Sequence, residues 1–308
     1  MIAFIFPGQG AQHVGMGVDI AERYRAAAAV YEQADQLLGL ALSRLMAEGP
    51  SEQLTATEVA QPALLTHSVA VLRVLEAQGL QPDVVAGHSL GEYSALVAAG
   101  ALDFESALQL VRQRGLLMAQ DGKRIGGTMA AIIGLAPHQV EDVINQAACD
   151  GEVLVVANYN CPGQVVISGT MTAVEQAQQL AKEAGARATI ALKVSGAFHS
   201  PLMATTAQRF GKHLQAAGIN DAQLPVVSNV DATERTDAPS LVNALEQQID
   251  HSILWEKSVR RMIQMGARRF IEVGPKRVLT KMMGRIDQSV EAIDTGDVEA
   301  VEAAVATA

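Results

Sequence analysis

Short apolar runs and helix-length amphipathic segments alternate along the first third of the chain. Residues 2–6 and 83–86 are largely apolar runs of strand length, and glycine follows each run within two residues. Helices are predicted over 21–38, 61–78, 92–99 and 106–119, where apolar residues recur at helical spacing. Strands without polar alternation are typical of a sheet covered on both faces. The pattern therefore predicts a parallel α/β sheet.

The pattern changes after residue 125 and returns to its first form near residue 197. The predicted order in between is strand, helix, strand, strand, helix, strand, with the turn sequence Asn160-Cys161-Pro162-Gly163 between the middle strands. The strands are predicted over 129–135, 153–159, 164–168 and 187–194, and the helices over 138–148 and 172–184. This βαββαβ order is that of a ferredoxin-like unit. We therefore expect a small domain, 126–196, inserted into a large α/β domain made of 1–125 and 197–308.

The α/β alternation resumes after the insertion. Helices are predicted over 201–217, 241–248 and 255–265, and strands over 226–229 and 269–273. A further helix is expected after Gly274-Pro275. The segment that follows Ile286 is rich in alanine, valine and acidic residues and carries no motif.

Composition narrows the classes of function. The 308 residues include 23 Lys and Arg against 33 Asp and Glu, a formal net charge of −10, whereas nucleic-acid binding needs a basic surface. Aromatic residues make up only 4%, too few for a platform that stacks bases. The two cysteines, Cys149 and Cys161, cannot form a disulfide framework or a cysteine-rich zinc site. No bound metal is expected.

The chain shows no sign of a membrane or export address. Its start, MIAFIFPGQG, lacks a basic region before the apolar run, which proline and glycine cut short, so a signal peptide is not predicted. No stretch approaches the ~20 apolar residues of a membrane helix. We expect a soluble cytoplasmic protein with no nucleic-acid or membrane partner.

The sequence Gly87-His88-Ser89-Leu90-Gly91 fits the pattern G-x-S-x-G and lies between a predicted strand and a predicted helix. In that context the glycines permit a tight turn that presents the serine at the edge of the sheet. The following helix N-terminus offers backbone N–H groups, so the Leu90 N–H is a candidate donor to an oxyanion. An ordinary glycine-flanked turn is the alternative, and the flanking strand and helix favour a nucleophile.

A serine nucleophile needs a base, and the chain has seven histidines. Three lie in predicted helices, and His88 is held beside the serine by the turn. His199 lies in a loop between a predicted strand and a predicted helix, where catalytic residues are common. A merely exposed loop histidine is the alternative, which the residues alone leave open. No carboxylate between Ser89 and His199 follows a predicted strand of the large sheet, so a Ser-His-Asp triad is not predicted.

Five motifs follow one another along the chain and together carry a resemblance to a known family. They are Phe6-Pro7-Gly8-Gln9-Gly10, Gly87-His88-Ser89-Leu90-Gly91, Gln113-Arg114-Gly115, Gly196-Ala197-Phe198-His199-Ser200 and Glu272-Val273-Gly274-Pro275. From residue 2 to about Ile286 the chain resembles malonyl-CoA:acyl carrier protein transacylases and the acyltransferase domains of polyketide synthases. The resemblance implies an α/β-hydrolase-like parallel sheet for the large domain.

The resemblance also implies roles for individual residues. Ser89 would be the nucleophile and His199 its base, with the carbonyl or side chain of Gln248 orienting His199 in place of an aspartate. A neutral acceptor on the histidine suffices because thioesters are activated acyl donors. The backbone N–H of Gln9 and that of Leu90 would form the oxyanion hole that each tetrahedral intermediate needs.

Three more residues are implied in substrate binding. Arg114 would pair its planar guanidinium with the free carboxylate of a malonyl group, although without the family a solvated helix-face charge would be the better interpretation. Phe198 would crowd a 2-methyl substituent and so favour malonyl over methylmalonyl units. Asn160 would lean over the cleft, and an asparagine required by the turn is an equal alternative.

The activity implied is transfer of a malonyl group from malonyl-CoA to the phosphopantetheine thiol of acyl carrier protein through a malonyl-serine, in fatty acid biosynthesis, with no cofactor beyond the CoA thioester. The alternative within the family is a free-standing acyltransferase of a polyketide or polyunsaturated fatty acid synthase. A serine hydrolase is a hypothesis from another class, and Arg114 argues against it. A non-catalytic module that docks a carrier protein is a third, and the intact Ser89 and His199 argue against it.

An acidic carrier protein would need a local basic surface, because the net charge of this chain is −10. Candidate cations lie in the C-terminal part and, across the cleft, on the inserted domain. They are Arg260, Arg261, Arg268, Arg269, Lys276, Arg277, Lys281 and Arg285, with Lys182, Arg187 and Lys193 opposite. Lys276-Arg277 also replaces a Gly-Lys that the family commonly has there. Scattered solvated charges are the alternative.

Overall fold

Two β-sheets organise the computed structural model, which describes residues 1–147 and 151–307. The strands of the larger sheet are, in spatial order, Glu291–Asp294 (β10), Arg269–Glu272 (β9), Ile2–Phe6 (β1), Val84–Gly87 (β2), Val226–Val227 (β7) and Glu234–Arg235 (β8). Neighbouring strands pair in parallel, except that β7 and β8 are antiparallel. The α/β fold predicted from the apolar runs is confirmed, with β8 and β10 as strands that the apolar pattern does not predict.

The central strand β1 explains why its apolar run is continuous. Phe4 and Phe6 belong to a core on one face of the sheet, whereas Ala3 and Ile5 belong to a second core that contains Trp255. The side chains of these four residues are fully buried. A strand covered on both faces needs an apolar residue at every position, because successive side chains alternate between the faces.

A second, antiparallel sheet is formed by the middle of the chain. Its strands are, in spatial order, Leu154–Cys161 (β4), Gln164–Gly169 (β5), Thr128–Ile133 (β3) and Ala188–Ala191 (β6), and Pro137–Ala147 (α8) and Met171–Glu183 (α9) pack against it. Their order along the chain is the predicted βαββαβ order. The turn predicted over 160–163 begins later than expected, because β4 continues through Asn160 and Cys161. The predicted helix end at Ala148, and Cys149, lie outside the described residues.

The remaining helices surround the larger sheet. They are Val18–Arg23 (α1), Arg25–Leu38 (α2), Leu42–Glu48 (α3), Ser51–Thr55 (α4), Thr57–Ala77 (α5), Gly91–Ala98 (α6), Phe104–Ile125 (α7), Ala204–Ala216 (α10, after a 3₁₀ turn at Pro201–Met203), Ala238–Gln248 (α11), Trp255–Gln264 (α12), Val278–Ile286 (α13) and Val298–Ala306 (α14). The helix predicted over 21–38 is interrupted, because the extended backbone of Tyr24 separates α1 from α2. Among the helices of the described residues, none has both the length and the apolar content to cross a membrane.

Strands β1 and β2 end side by side, with Phe6 paired to Gly87. The loops that follow them therefore start at the same edge of the sheet. A Cβ on Gly8 would lie 2.5 Å from the His88 carbonyl oxygen, so only glycine permits the two loops to approach this closely. Ligand sites of open α/β sheets lie at this carboxyl edge.

Candidate active site

Ser89 occupies the turn between β2 and α6 and has a left-handed backbone conformation, with φ of 51°. Non-glycine residues rarely adopt that conformation, and it is concentrated at functional sites. A Cβ on Gly87 would lie 1.8 Å from the Gly91 carbonyl carbon, and one on Gly91 would lie 2.0 Å from the Phe6 oxygen. Both glycines of the G-x-S-x-G pattern are therefore required by the packing of the turn.

His199 contacts the hydroxyl of this serine. The Ser89 Oγ lies 2.8 Å from His199 Nε2, and His199 Nδ1 lies 2.7 Å from the carbonyl oxygen of Gln248 at the end of α11. Because a carbonyl oxygen only accepts, Nδ1 carries the proton and Nε2 is left to accept from the Ser89 hydroxyl. The structure thus brings together the three residues expected to act as nucleophile, base and orienting group.

Burial determines the protonation state of His199. Its side chain is buried, and burial together with the nearby positive charge of Arg114 lowers the pKa of His199 to about 3. Loss of hydration disfavours the charged imidazolium. The imidazole is therefore neutral at pH 7, which is the form that can take a proton from Ser89.

Arg114 is 1% exposed and directs its guanidinium at the same serine. Its Nη1 donates to Gln61 Oε1 at 2.8 Å, and its Nη2 donates to Gln248 Oε1 at 2.8 Å and to Ser89 Oγ at 3.1 Å. Within residues 1–147 and 151–307, no carboxylate forms an ion pair with it. A buried cation held by neutral amide oxygens favours an anionic ligand. The alternative of a solvated helix-face charge is wrong.

Asn229 and Glu92, which no motif argument identifies, support the serine from behind. Asn229 Oδ1 accepts from the Ser89 backbone N–H at 2.7 Å, and Asn229 Nδ2 donates to the Gly87 carbonyl at 2.7 Å. Gln248 Nε2 donates to the Ser89 carbonyl at 2.9 Å and to Glu92 Oε2 at 2.7 Å. Side chains from distant parts of the chain thereby fix the backbone on both sides of Ser89.

A cavity of about 450 Å³ lies beside Ser89, between the two sheets. It is lined by Gln9 from the loop after β1, by His199 from the loop before α10, by Asn160 of β4 and by Lys193 after β6. The Gln9 side chain donates to Thr57 Oγ1 at 3.2 Å. Leu90 is buried and directly follows Ser89, where α6 begins. Gln9 thus lines the same cavity as Ser89 and Leu90 is the next residue of the chain, and donation by their backbone N–H groups to an oxyanion stays a prediction.

Asn160 and Phe198, the other two expected site residues, have different surroundings. Asn160 Oδ1 lies 2.8 Å from His88 Nε2, a contact that holds Asn160 in the cavity wall and engages His88 away from the Ser89 hydroxyl. Phe198 packs in the core that contains Phe4, and among the described residues it does not line the cavity. Contact between Phe198 and a substrate stays a prediction.

Several of the cations expected to form a basic surface pair with nearby acidic groups. The pairs are Arg260 with Glu256, Arg261 with Glu234, Arg269 with Glu291 and Arg277 with Asp294. Lys276, Arg277 and Lys281 line a second cavity of about 490 Å³ together with His13. Lys193 lines the cavity beside Ser89. Arg277 thus belongs both to an ion pair and to this second cavity, and a basic docking surface stays a prediction.

Of the residues that the structure describes, no group of three or more His, Cys, Asp or Glu side chains could hold a metal ion.

Gln61, Asn229 and Glu92 are polar residues of the site that the sequence analysis missed. The one available signal was the position of Glu92 immediately after the G-x-S-x-G pattern.

This geometry defines a serine-dependent acyl-transfer type of site, and comparison with known proteins agrees. The chain belongs to the family described as the acyl transferase domain, which matches residues 3–303. The malonyl CoA-acyl carrier protein transacylase of Bacillus subtilis is 44% identical to it over 306 residues, which cover 99% of this chain and 96% of the relative. The resemblance expected from the five motifs is confirmed.

Solved structures give the same result. The crystal structure of an acyl carrier protein S-malonyltransferase from Vibrio cholerae matches with a TM-score of 0.94 and 43% identity, covering 98% of this chain and 99% of that chain. A malonyl-transacylase solved in complex with a type II PKS acyl-carrier protein matches with a TM-score of 0.96 and 37% identity, covering 100% and 99%.

Proposed function

We propose that this protein transfers a malonyl group from malonyl-CoA to the phosphopantetheine thiol of an acyl carrier protein, through a malonyl ester on Ser89, in fatty acid biosynthesis. The observation that carries the proposal is the position of the Ser89 Oγ, 2.8 Å from a neutral histidine nitrogen and 3.1 Å from a buried guanidinium. The first contact activates an oxygen nucleophile, and the second attracts an acyl group that ends in a carboxylate. The relative with 44% identity carries this activity in its name.

The first half-reaction loads the serine. His199 Nε2 accepts the hydroxyl proton while Ser89 Oγ attacks the thioester carbon. The oxyanion of the tetrahedral intermediate accepts hydrogen bonds from the backbone N–H groups of Gln9 and Leu90. The intermediate collapses as the C–S bond breaks, and the CoA sulfur takes the proton from His199.

The second half-reaction reverses these roles with a different thiol. The carrier's phosphopantetheine thiol gives its proton to His199, and its sulfur attacks the ester carbon of malonyl-Ser89. The C–O bond then breaks, and Ser89 Oγ takes the proton back. The Gln248 carbonyl keeps the imidazole in the required tautomer throughout, because it accepts from Nδ1 at 2.7 Å.

Three residues set the choice of acyl group in this proposal. Arg114 binds the malonyl carboxylate with its planar fork. Asn160, held by His88, forms part of the cavity wall beside the acyl group. Phe198, the neighbour of His199, limits the room for a 2-methyl substituent. The reaction needs no cofactor beyond the CoA thioester.

The proposal includes the domain organisation. We assign 1–125 and 197–308 to an α/β-hydrolase-like catalytic domain and 126–196 to an inserted ferredoxin-like domain. The order β4-β5-β3-β6 of the smaller sheet, with both helices packed against it, supports the second assignment. The active site then lies where the two domains meet. A cytoplasmic location is also part of the proposal.

A polyketide or polyunsaturated fatty acid synthase is the other possible setting. One structural neighbour is a malonyl-transacylase bound to a type II PKS acyl-carrier protein, at 37% identity. The Bacillus subtilis malonyl CoA-acyl carrier protein transacylase is more similar, at 44%. We therefore favour fatty acid biosynthesis. The chemistry at Ser89 is the same in both settings.

Labelling with radioactive malonyl-CoA tests the proposal. Wild-type protein should retain about one malonyl group per chain on Ser89 and release it to a holo acyl carrier protein. Ser89→Ala should retain none, whereas Ser68→Ala, which changes another buried serine, should label like wild type. Label on the Ser89→Ala variant would show that the nucleophile is wrong, and release of malonate to water in preference to the carrier thiol would indicate a hydrolase.

A further inference from the structure

Glu92 is a buried carboxylate directly behind the nucleophile. It is the second residue of α6 and is 2% exposed. Its Oε2 accepts from Gln248 Nε2 at 2.7 Å and from the Asn229 backbone N–H at 3.3 Å. It does not contact the Ser89 hydroxyl in the described structure, so any role in the reaction must pass through these neighbours.

Gln248 connects Glu92 to the reacting groups. Its Oε1 accepts from Arg114 Nη2 at 2.8 Å, its Nε2 also donates to the Ser89 carbonyl at 2.9 Å, and its own carbonyl accepts from His199 Nδ1 at 2.7 Å. A guanidinium can only donate, and an ionised carboxylate can only accept. Arg114 and Glu92 therefore fix together which end of the Gln248 amide faces which neighbour.

We infer that Glu92 is a positioning residue for acyl transfer: through the Gln248 side chain it holds the Arg114 guanidinium in the orientation that receives an anionic acyl group. Without Glu92, Gln248 Nε2 keeps only the Ser89 carbonyl as an acceptor, so the amide that bonds Arg114 is held less firmly. Displacement of a binding group by about 1 Å can cost roughly 100-fold in rate. The inference rests on the proposed function, because it concerns the malonyl carboxylate.

The ionisation of Glu92 gives this arrangement a signature. Burial raises the pKa of Glu92 to about 7, against the hydrogen bonds from Gln248 and Asn229 and the positive charge of Arg235. The charged and titratable groups that face it are Arg235, from β8, Arg114, from α7, and Tyr93, its neighbour on α6. An ionised carboxylate is the stronger acceptor, so Gln248 is held more firmly above pH 7. Preference for malonyl over acetyl should therefore rise with pH through about 7.

The experiment compares Glu92→Ala, Glu92→Gln and wild type, with kcat/KM measured for malonyl-CoA and acetyl-CoA from pH 6 to pH 8. We expect Glu92→Ala to lower the malonyl-to-acetyl ratio by roughly 10- to 100-fold. Glu92→Gln keeps an oxygen acceptor for Gln248, so its ratio should return to within about threefold of wild type while its pH dependence disappears. Glu272→Gln is the matched control, because Glu272 is also fully buried but bonds the start of α13. It should keep both the ratio and the slope.

Two outcomes would overturn the inference. Glu92→Ala could leave the malonyl-to-acetyl ratio unchanged, and equal losses with both substrates would then indicate a purely structural role. Glu92→Gln could retain the wild-type pH slope, and this outcome decides the matter even where Glu92→Ala does not fold. The proposed function fails separately, namely when wild-type Ser89 takes no malonyl label at all.

Discussion

Replacing Arg114 with alanine tests how the malonyl carboxylate is recognised. The guanidinium is 1% exposed and is held by the amide oxygens of Gln61 and Gln248. The substitution removes the proposed partner of a malonyl carboxylate, but it removes no charged contact that an acetyl group could make. We expect malonyl transfer to fall steeply and acetyl transfer to hold or rise.

The size of the effect follows from the burial of Arg114. Removing one partner of a buried charged pair costs about 2–5 kcal/mol, which is roughly a 30- to 5,000-fold loss of kcat/KM. The variant also leaves Gln61 Oε1 and Gln248 Oε1 without their donor, and that cost is common to both substrates. The ratio of the two kcat/KM values cancels the common cost and isolates the contact with the carboxylate.

The assay measures kcat/KM for malonyl-CoA and acetyl-CoA with a holo acyl carrier protein as acceptor. Arg112→Ala is the control, because Arg112 lies on the same helix but donates to the Glu58 carbonyl at 2.5 Å. It should leave the ratio unchanged. Arg114→Lys should recover only part of the preference, since lysine keeps the charge without the planar fork. Equal losses with both substrates in Arg114→Ala would refute the proposed contact.

Three further predictions concern the base and the carrier protein. His199→Gln should slow acylation of Ser89 by roughly 10²–10⁴-fold in a rapid-quench assay, and an unchanged rate would place the base elsewhere. The pKa of His199 is about 3 in the folded protein and ordinarily 6.5, so between these values the unfolded chain binds more protons than the folded one. The wild-type protein should therefore lose stability as the pH falls from 6.5 towards 3. Urea titrations should show a shallower loss in His199→Gln, which lacks this group. Reversing Lys276, Arg277 and Lys281 to glutamate should raise the KM for the carrier protein and weaken its salt dependence. Transfer to free pantetheine should hardly change, and a parallel loss with both acceptors would contradict the docking surface.

The interior of the fold could be predicted from the sequence because burial on both faces leaves a clear pattern. Strands β1 and β2 are continuous apolar runs, and both lie in the centre of the larger sheet. Strand β10 lies at the edge of the same sheet and is only partly buried, so its sequence Glu-Ala-Ile-Asp carries no such run. Helix α14 is short and alanine-rich, and it is stabilised by packing without a clear amphipathic pattern in its sequence.

The site could be predicted only where a local pattern marks it. Ser89 lies in a motif whose glycines are required by the turn, and the family resemblance supplied expectations for His199, Arg114 and Gln248. The contacts that support these residues join distant parts of the chain. Ser89 and Asn229 are 140 positions apart, and Glu92 and Gln248 are 156 positions apart. No periodicity or spacing encodes such contacts, because the fold alone creates them.

The position of Arg114 explains why the group that bonds His199 is neutral and not a carboxylate. The Gln248 carbonyl bonds the imidazole, and its side-chain oxygen bonds the guanidinium at 2.8 Å, so one residue supports both the base and the anion-binding group. An aspartate in that place would lie within reach of Arg114 and would neutralise the charge that the malonyl carboxylate is proposed to meet. It would also raise the pKa of His199. The neutral contact therefore leaves the imidazole unprotonated at pH 7, where it can accept a proton from Ser89, and leaves the arginine available to an anion.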